Sequence, residues 1–230
     1  MVSKNRGIES GYVYHVLNRG VLRNQLFDTD CDYIAFEELI LETFEEIPLP
    51  IFTYELMPNH WHFVVQATDS DDEISDFFHL LTGTHAKRFR AWHENVGIGH
   101  VYQDRFKSFP VQCDDHFLTL CRYVERNALR AGLVESAEEW RWAGLWRRIH
   151  GQLDFLYSDW PVERPSDWLD WVNRPLTSSE LSAIETSVRR GTPFGDQRWT
   201  LRTAADLKLQ HTLRGRGRPR RLSRRLVSAP

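Results

Sequence analysis

No stretch of the 230-residue sequence holds eighteen consecutive apolar residues, so no segment has the length and character of a membrane-spanning helix. An apolar signal core is also missing behind Met1-Val2-Ser3-Lys4-Asn5-Arg6, and the expectation is a soluble, cytoplasmic protein. Cysteine is scarce. Cys31, Cys113 and Cys121 are odd in number and form no Cys-x-x-Cys, which argues against a disulfide framework and a thiolate zinc site. There is no internal repeat, and no large excess of one charge: the net charge is -3. That balance hides an asymmetry. Between Leu213 and Arg225 there is no acid at all, only Arg214, Arg216, Arg218, Arg220, Arg221, Arg224 and Arg225, whereas Asp69 to Asp76 is acidic. Such a tail suits a polyanionic partner.

What is present is ample for a core, with hydrophobic residues at 41%. Tyr12-Val13-Tyr14-His15-Val16-Leu17 is aromatic and β-branched and reads as a strand ending at Asn18-Arg19-Gly20. Asp28-Thr29-Asp30 offers helix caps ahead of Tyr33, Phe36, Leu39, Ile40 and Phe44, spaced by three and four. Ile51 to Met57 and His60 to Gln66 read as two strands whose short link, Pro58-Asn59, makes them an antiparallel hairpin. A second helix is expected from Ile74 to about His93, a fourth strand over Val101 to Val111, and a third helix from the caps Asp114-Asp115 to Ala131, stopped by Gly132. This order predicts an α+β fold, helices covering one face of an antiparallel sheet in a ferredoxin-like or RRM-like layout.

The expected domains are a core domain over 1–135, an extension over 136–212 that packs on it, and an Arg-rich tail over 213–230. Six tryptophans between Trp140 and Trp171 favour aromatics folded back onto the domain over base-stacking platforms. Thr177-Ser178-Ser179-Glu180 is a capping box for a helix ending at Arg189-Arg190-Gly191, and a short helix is expected from Trp199 to Leu209.

His60 and His62 are the first candidates for chemistry. Strand side chains alternate, so both imidazoles share a face, roughly 7 Å apart at Cα, while Trp61, Phe63 and Val65 anchor the strand on the other. Two such rings can hold one divalent ion if a third ligand arrives from elsewhere. The third helix supplies candidates: Phe117, Leu120, Cys121, Val124 and Ala128 form its buried stripe, and Tyr123, Asn127 and Arg130 stack on another face. An ion held by two histidines and an Asn carbonyl can neutralise a phosphodiester for in-line attack. A tyrosine oxygen positioned there becomes a nucleophile and conserves the bond energy as phosphotyrosine. The remaining histidines, His15 among them, read as surface or core polar residues.

His60-Trp61-His62 after Met57-Pro58-Asn59, with Tyr123-x-x-x-Asn127 on a later helix, resembles the single-tyrosine HUH transposases of IS200-like type. Tyr14 to Gly20, Asp104 to Ser108 and Asn127 to Val134 are similar to that family as well. Arg189 to Gly195 and Gly215 to Arg220 resemble its branch of transposases associated with REP palindromes. The resemblance implies Tyr123 as the nucleophile, giving a 5′-phosphotyrosine and a free 3′-hydroxyl, and His60, His62 and Asn127 as ligands of Mg²⁺ or Mn²⁺. It implies single-stranded DNA as partner, folded as a palindromic hairpin with a short guide sequence, and a nucleoid-associated protein. Where the family often has Asn-Pro-Val-Arg-Ala, this chain has Asn127-Ala128-Leu129-Arg130-Ala131, a helix-compatible change.

Arg19, Arg23, Lys87, Arg88, Arg90, Arg105, Lys107, Arg130, Arg216 and Arg218 are the expected DNA contacts, mostly to phosphate. Two other readings compete. A metal-dependent hydrolase wants an acid soon after the histidine pair or a third His on a neighbouring strand, and His62 is followed by Phe63-Val64-Val65-Gln66 with no acid until Asp69. A non-catalytic nucleic-acid binder of RRM type wants exposed aromatics where this chain has His60 and His62; a retired transposase that only binds its palindrome is the stronger form of that reading. The long extension lets one chain complete its own site, so a monomer is expected ahead of a homodimer.

Overall fold

Alternating β-branched and aromatic residues build four strands: β1 (Val13–Arg19), β2 (Ile51–Met57), β3 (His60–Gln66) and β4 (Lys107–Val111). In the computed structural model, which describes residues 8–93, 99–157 and 159–214, they form one sheet of order β2-β3-β1-β4. Each neighbouring pair is antiparallel. Helices α1 (Asp30–Glu46) and α2 (Glu73–Trp92) connect β1 to β2 and β3 to β4 and cover one face, completing the ferredoxin-like α+β layout. A capping box between Thr29 and Asp32 opens α1.

The other face is covered too, which the sequence pattern did not foresee. Helix α3 (Asp115–Glu125) lays Phe117, Leu120, Cys121 and Val124 against Val13, Phe52, Val64, Phe109 and Val111. The physical reason is that the strands are apolar on both sides. Val13 and Val64 face α3, while Tyr14, Val16, Phe63 and Val65 face α1 and α2. Burying each large side chain of the α3 stripe contributes about 1.5–3 kcal/mol, enough to hold a helix of this length on the sheet.

The fourth strand starts at Lys107, not at Val101. Tyr102 leaves the ladder after one isolated bridge to Gly20, because its ring is drawn into the core. There its hydroxyl meets His85 Nδ1 at 2.7 Å and accepts from Trp61 Nε1 at 3.4 Å.

Beyond α4 (Asn127–Arg130) the chain returns along both edges of the sheet. Leu56 N–H donates to the Trp142 carbonyl (2.9 Å) and Tyr157 N–H to that of Ile51 (2.8 Å) on the β2 edge. On the β4 edge, Gln112 N–H donates to Phe194 and Phe194 N–H to Pro110, each at 2.9 Å. Unpaired strand edges are thereby covered. Gly144, which opens α5 (Gly144–Ile149), sits so close to β2 that a Cβ would stand 2.6 Å from Thr53 Oγ1. From α5, Arg147 bonds Glu37 of α1 and Tyr54 of β2. Helices α6 (Trp168–Asn173) and α7 (Ser178–Arg190) lie on the outside of α3, and α8 (Gln197–Asp206) and α9 (Gln210–Leu213) follow. The six tryptophans from Trp140 to Trp171 are all buried or half-buried against this frame. No helix among the described residues is long and apolar enough to cross a membrane.

Candidate active site

The register of the sheet gathers the candidate residues at one end of the α3 face. His60 stands opposite Arg19, His62 opposite Leu17 on β1 and opposite Glu55 on β2. The two imidazoles lie 5.0 Å apart at their centroids, ring edge to ring face. His62 is buried, whereas His60 at the strand end is half-exposed.

Each histidine is oriented by a neighbour. The Asn59 carboxamide oxygen lies 2.6 Å from His60 Nδ1, and an amide oxygen only accepts, so His60 carries its proton on Nδ1 and turns a lone pair outward on Nε2. For His62 the neighbour is His15. His15 Nε2 lies 2.8 Å from His62 Nδ1, the rings stack at 5.0 Å, and His15 is fully buried. When His62 Nδ1–H donates to His15, His62 Nε2 is left as a lone pair. His15 then keeps its proton on Nδ1, a buried atom with no partner among the described residues. Burial drives all three rings towards the neutral form. It holds His15 at about 3 and, with the charges of Arg19 and Arg130, His60 at about 4. His62 also falls well below the ordinary range, first by burial and then through repulsion from His15, His60, Arg130 and Arg19 were it to take up a proton.

Tyr123 reaches this pair from α3. Its ring meets His62 edge-on at 6.0 Å and His15 at 6.5 Å. The uninterrupted helix expected to Ala131 is broken at Arg126, and Asn127 opens the separate turn α4. Glu55 causes this. Its fully buried carboxyl accepts from Asn127 N–H (3.3 Å) and Ala128 N–H (2.6 Å), amides that the break leaves without helical acceptors. Burial raises the Glu55 pKa, and those two N–H groups work against it. Arg130 closes the cluster: its guanidinium donates to Asn127 Oδ1 at 2.6 Å and to Tyr123 Oη at 3.3 Å, lying 4.8 Å over the Tyr123 ring.

His15 and Glu55 were not among the residues singled out from sequence. The available signal was alternation: His15 sits between Tyr14 and Val16 in a strand, which puts it on the face opposite theirs, but its pairing with β3 is non-local. Glu55 carries the same signal within β2, between Tyr54 and Leu56.

The basic residues divide. Arg19, Arg23, Lys87 and Lys107 form no ion pair with a described residue; Arg19 and Lys107 flank the histidine end of the sheet. Arg88 pairs with Glu42 at 2.7 Å and 3.2 Å on the exposed surface, and Arg90 donates to the Gly99 carbonyl. Arg105 lies on the loop before β4, along the cleft beside α2. Arg216, Arg218 and the tail around them fall outside the described residues. Two clefts, about 970 Å³ along α3, α7 and α8 and about 750 Å³ beside α2, include none of His60, His62 or Tyr123.

Among the described residues no three His, Cys, Asp or Glu side chains gather as a metal cluster. Imidazole nitrogens and amide oxygens are donor types that can serve a divalent ion; the Asn127 oxygen is held by Arg130.

A scan of protein families matches IS200-like transposases over residues 9–127, more than half of the chain. The chain belongs to the IS200-like transposase family. Among solved structures, the family member resembles a REP-associated tyrosine transposase bound to a REP hairpin. The identity is 18% and the TM-score 0.54, over 77% of this chain and all of that one. At that identity the likeness speaks to the fold. A chain from Deinococcus radiodurans matches at 18% identity over 66% of this chain and 98% of its own, with a TM-score of 0.37. A search of curated proteins finds no match.

Proposed function

We propose that this transposase cuts and rejoins single-stranded DNA at REP-type palindromic hairpins, with Tyr123 as its nucleophile. The observation that carries the reading is the meeting, within one chain, of Tyr123, the histidine pair and Arg130. Tyr123 Oη attacks phosphorus; the Oη–P bond forms and the P–O3′ bond breaks. A 5′-phosphotyrosine and a free 3′-hydroxyl result, and attack by another 3′-hydroxyl reverses the step without ATP. Arg130 lies where it can stabilise the phenolate and receive a non-bridging phosphate oxygen. Asn59 and His15 hold His60 and His62 as neutral donors, and Asn127 offers a carbonyl once Arg130 turns to the phosphate. Mg²⁺ or Mn²⁺, bound by His60, His62 and Asn127, would supply Lewis-acid charge neutralisation at the phosphate. Arg19, Arg23 and Lys107 track the backbone, with salt-dependent affinity.

The packing of α6 and α7 on α3 supports the reading that the extension belongs to the same unit and that one chain completes its own site. Incubation with hairpin DNA from its own genome, with and without metal, followed by a denaturing gel, tests the proposal. The expected result is a metal-dependent covalent adduct that Tyr123→Phe abolishes while hairpin binding persists. Binding without any adduct would mean a protein that only reads the palindrome.

A further inference from the structure

The turn that follows β1 runs through two successive left-handed residues, Leu22 (φ 52°) and Arg23 (φ 66°). That conformation is easy for glycine and costly for a branched side chain. Leu22 is 86% exposed, more than any other large hydrophobic among the described residues. A lone exposed leucine needs no explanation. A leucine displayed on strained backbone does, since strain persists only where the surroundings impose it.

The surroundings here are the site. Gly20 N–H donates to the Asn59 carbonyl (2.9 Å) and Val21 N–H to that of Val101 (2.9 Å). At the far end, Leu26 and Phe27 N–H both donate to the Pro58 carbonyl. Gly20 cannot be replaced, because a Cβ would stand 2.2 Å from the Asn24 carbonyl oxygen. Across the middle, Asn59 Nδ2 donates to the Arg23 carbonyl at 3.3 Å, and the same carboxamide accepts from His60. One side chain thus joins the strained turn to the first histidine of the site. Arg19 and Arg23, both without an ion pair among the described residues, stand on either side of Leu22 in the chain.

Resting on the single-stranded DNA reading above, we infer that Leu22 is a wedge. It inserts against the base beside the attacked phosphate and unstacks it, while Arg19 and Arg23 hold the flanking phosphates. An apolar side chain between basic residues on a rigid turn is the chemistry that pries bases apart. Rigidity matters because a mobile leucine would fold away from the strand instead of entering it.

The test uses the full chain with Tyr123→Phe, which keeps the DNA uncut. It is mixed with palindromic hairpins whose single-stranded flank carries 2-aminopurine at successive positions. Unstacking raises the emission of that base, and a rise at one position next to the cut is expected. Adding Leu22→Ala should abolish the rise at saturating protein and weaken binding by about tenfold. Leu22→Gly relieves the backbone, so it should raise the unfolding midpoint and still lose the signal, whereas Leu22→Met should restore it. An undiminished rise with Leu22→Ala, or hairpin binding with no rise even when Leu22 is present, overturns the wedge and leaves the DNA reading standing. Failure of the Leu22-containing protein to bind any hairpin overturns both.

Discussion

On the α1–α2 side of the sheet, Tyr14, Val16, Trp61, Phe63 and Val65 meet Phe36, Ile40, Phe77 and Phe78 in an apolar layer. On the α3 side, His15, His62, Glu55 and Thr53 are buried just as deeply among Val13, Val64 and Phe109. Both layers come from the same strands, alternating residue by residue. Burying an imidazole or a carboxyl stabilises less than burying a valine unless each polar atom is partnered. The α3 side meets that condition only in part, as the orphaned His15 Nδ1 shows. Both faces carry apolar core, but only the α3 side also buries histidines and a carboxyl, at a cost in stability.

The sharpest way to break that contrast is to exchange damage between the faces. Trp61→Ala empties the apolar layer and should cost about 3–5 kcal/mol in chemical denaturation, with adduct formation per folded molecule unchanged. Glu55→Gln leaves one of the two amide donors at Asn127 and Ala128 unsatisfied, a loss of about 1–3 kcal/mol. It should reduce adduct formation as well, because Asn127 is no longer fixed.

A smaller effect isolates the histidines. His15 folds with its pKa depressed to about 3. The unfolded chain therefore binds the proton first, and stability present above the unfolded value is lost as pH falls towards the folded one. Comparing wild type with His15→Phe between pH 7 and pH 4 cancels Glu55 and Glu125, whose burial-raised carboxyls act with the opposite sign. Wild type should lose ground to the variant by about 1.4 kcal/mol per pH unit below about 6.5; parallel curves would show that His15 is not buried in its neutral form. Smallest of all is Arg88→Ala. With Arg88 engaged by exposed Glu42, stability should shift by less than about 1 kcal/mol and hairpin affinity should not move. Arg19→Ala, by contrast, should weaken binding and flatten its salt dependence.

Much of this arrangement was legible in the sequence because it is local. Alternation placed His60 and His62 on one face and Trp61 on the other, and helical spacing put Tyr123 near Asn127 and Arg130. The parts that were not legible depend on partners far along the chain. His15 meets His62 only through the β1–β3 register. The helix break at Arg126 has no glycine or proline to announce it and follows from Glu55, 72 residues away from the Asn127 amide it accepts. Lys87, Arg88 and Arg90 looked alike as a basic cluster until Glu42 came across from α1 to Arg88. The second covered face was missed for a related reason: strands apolar on both sides look like any buried strand until a helix is found to pack there.

The most direct test of the central claim is to locate the covalent bond. The adduct formed with hairpin DNA and Mg²⁺ or Mn²⁺ is trimmed by nuclease, digested with protease and sequenced by tandem mass spectrometry. The expected result is a single modified peptide, with a nucleotide joined through its 5′-phosphate to Tyr123. A phosphonucleotide on any other residue, or hairpin cleavage with no protein-bound nucleotide at all, would contradict it.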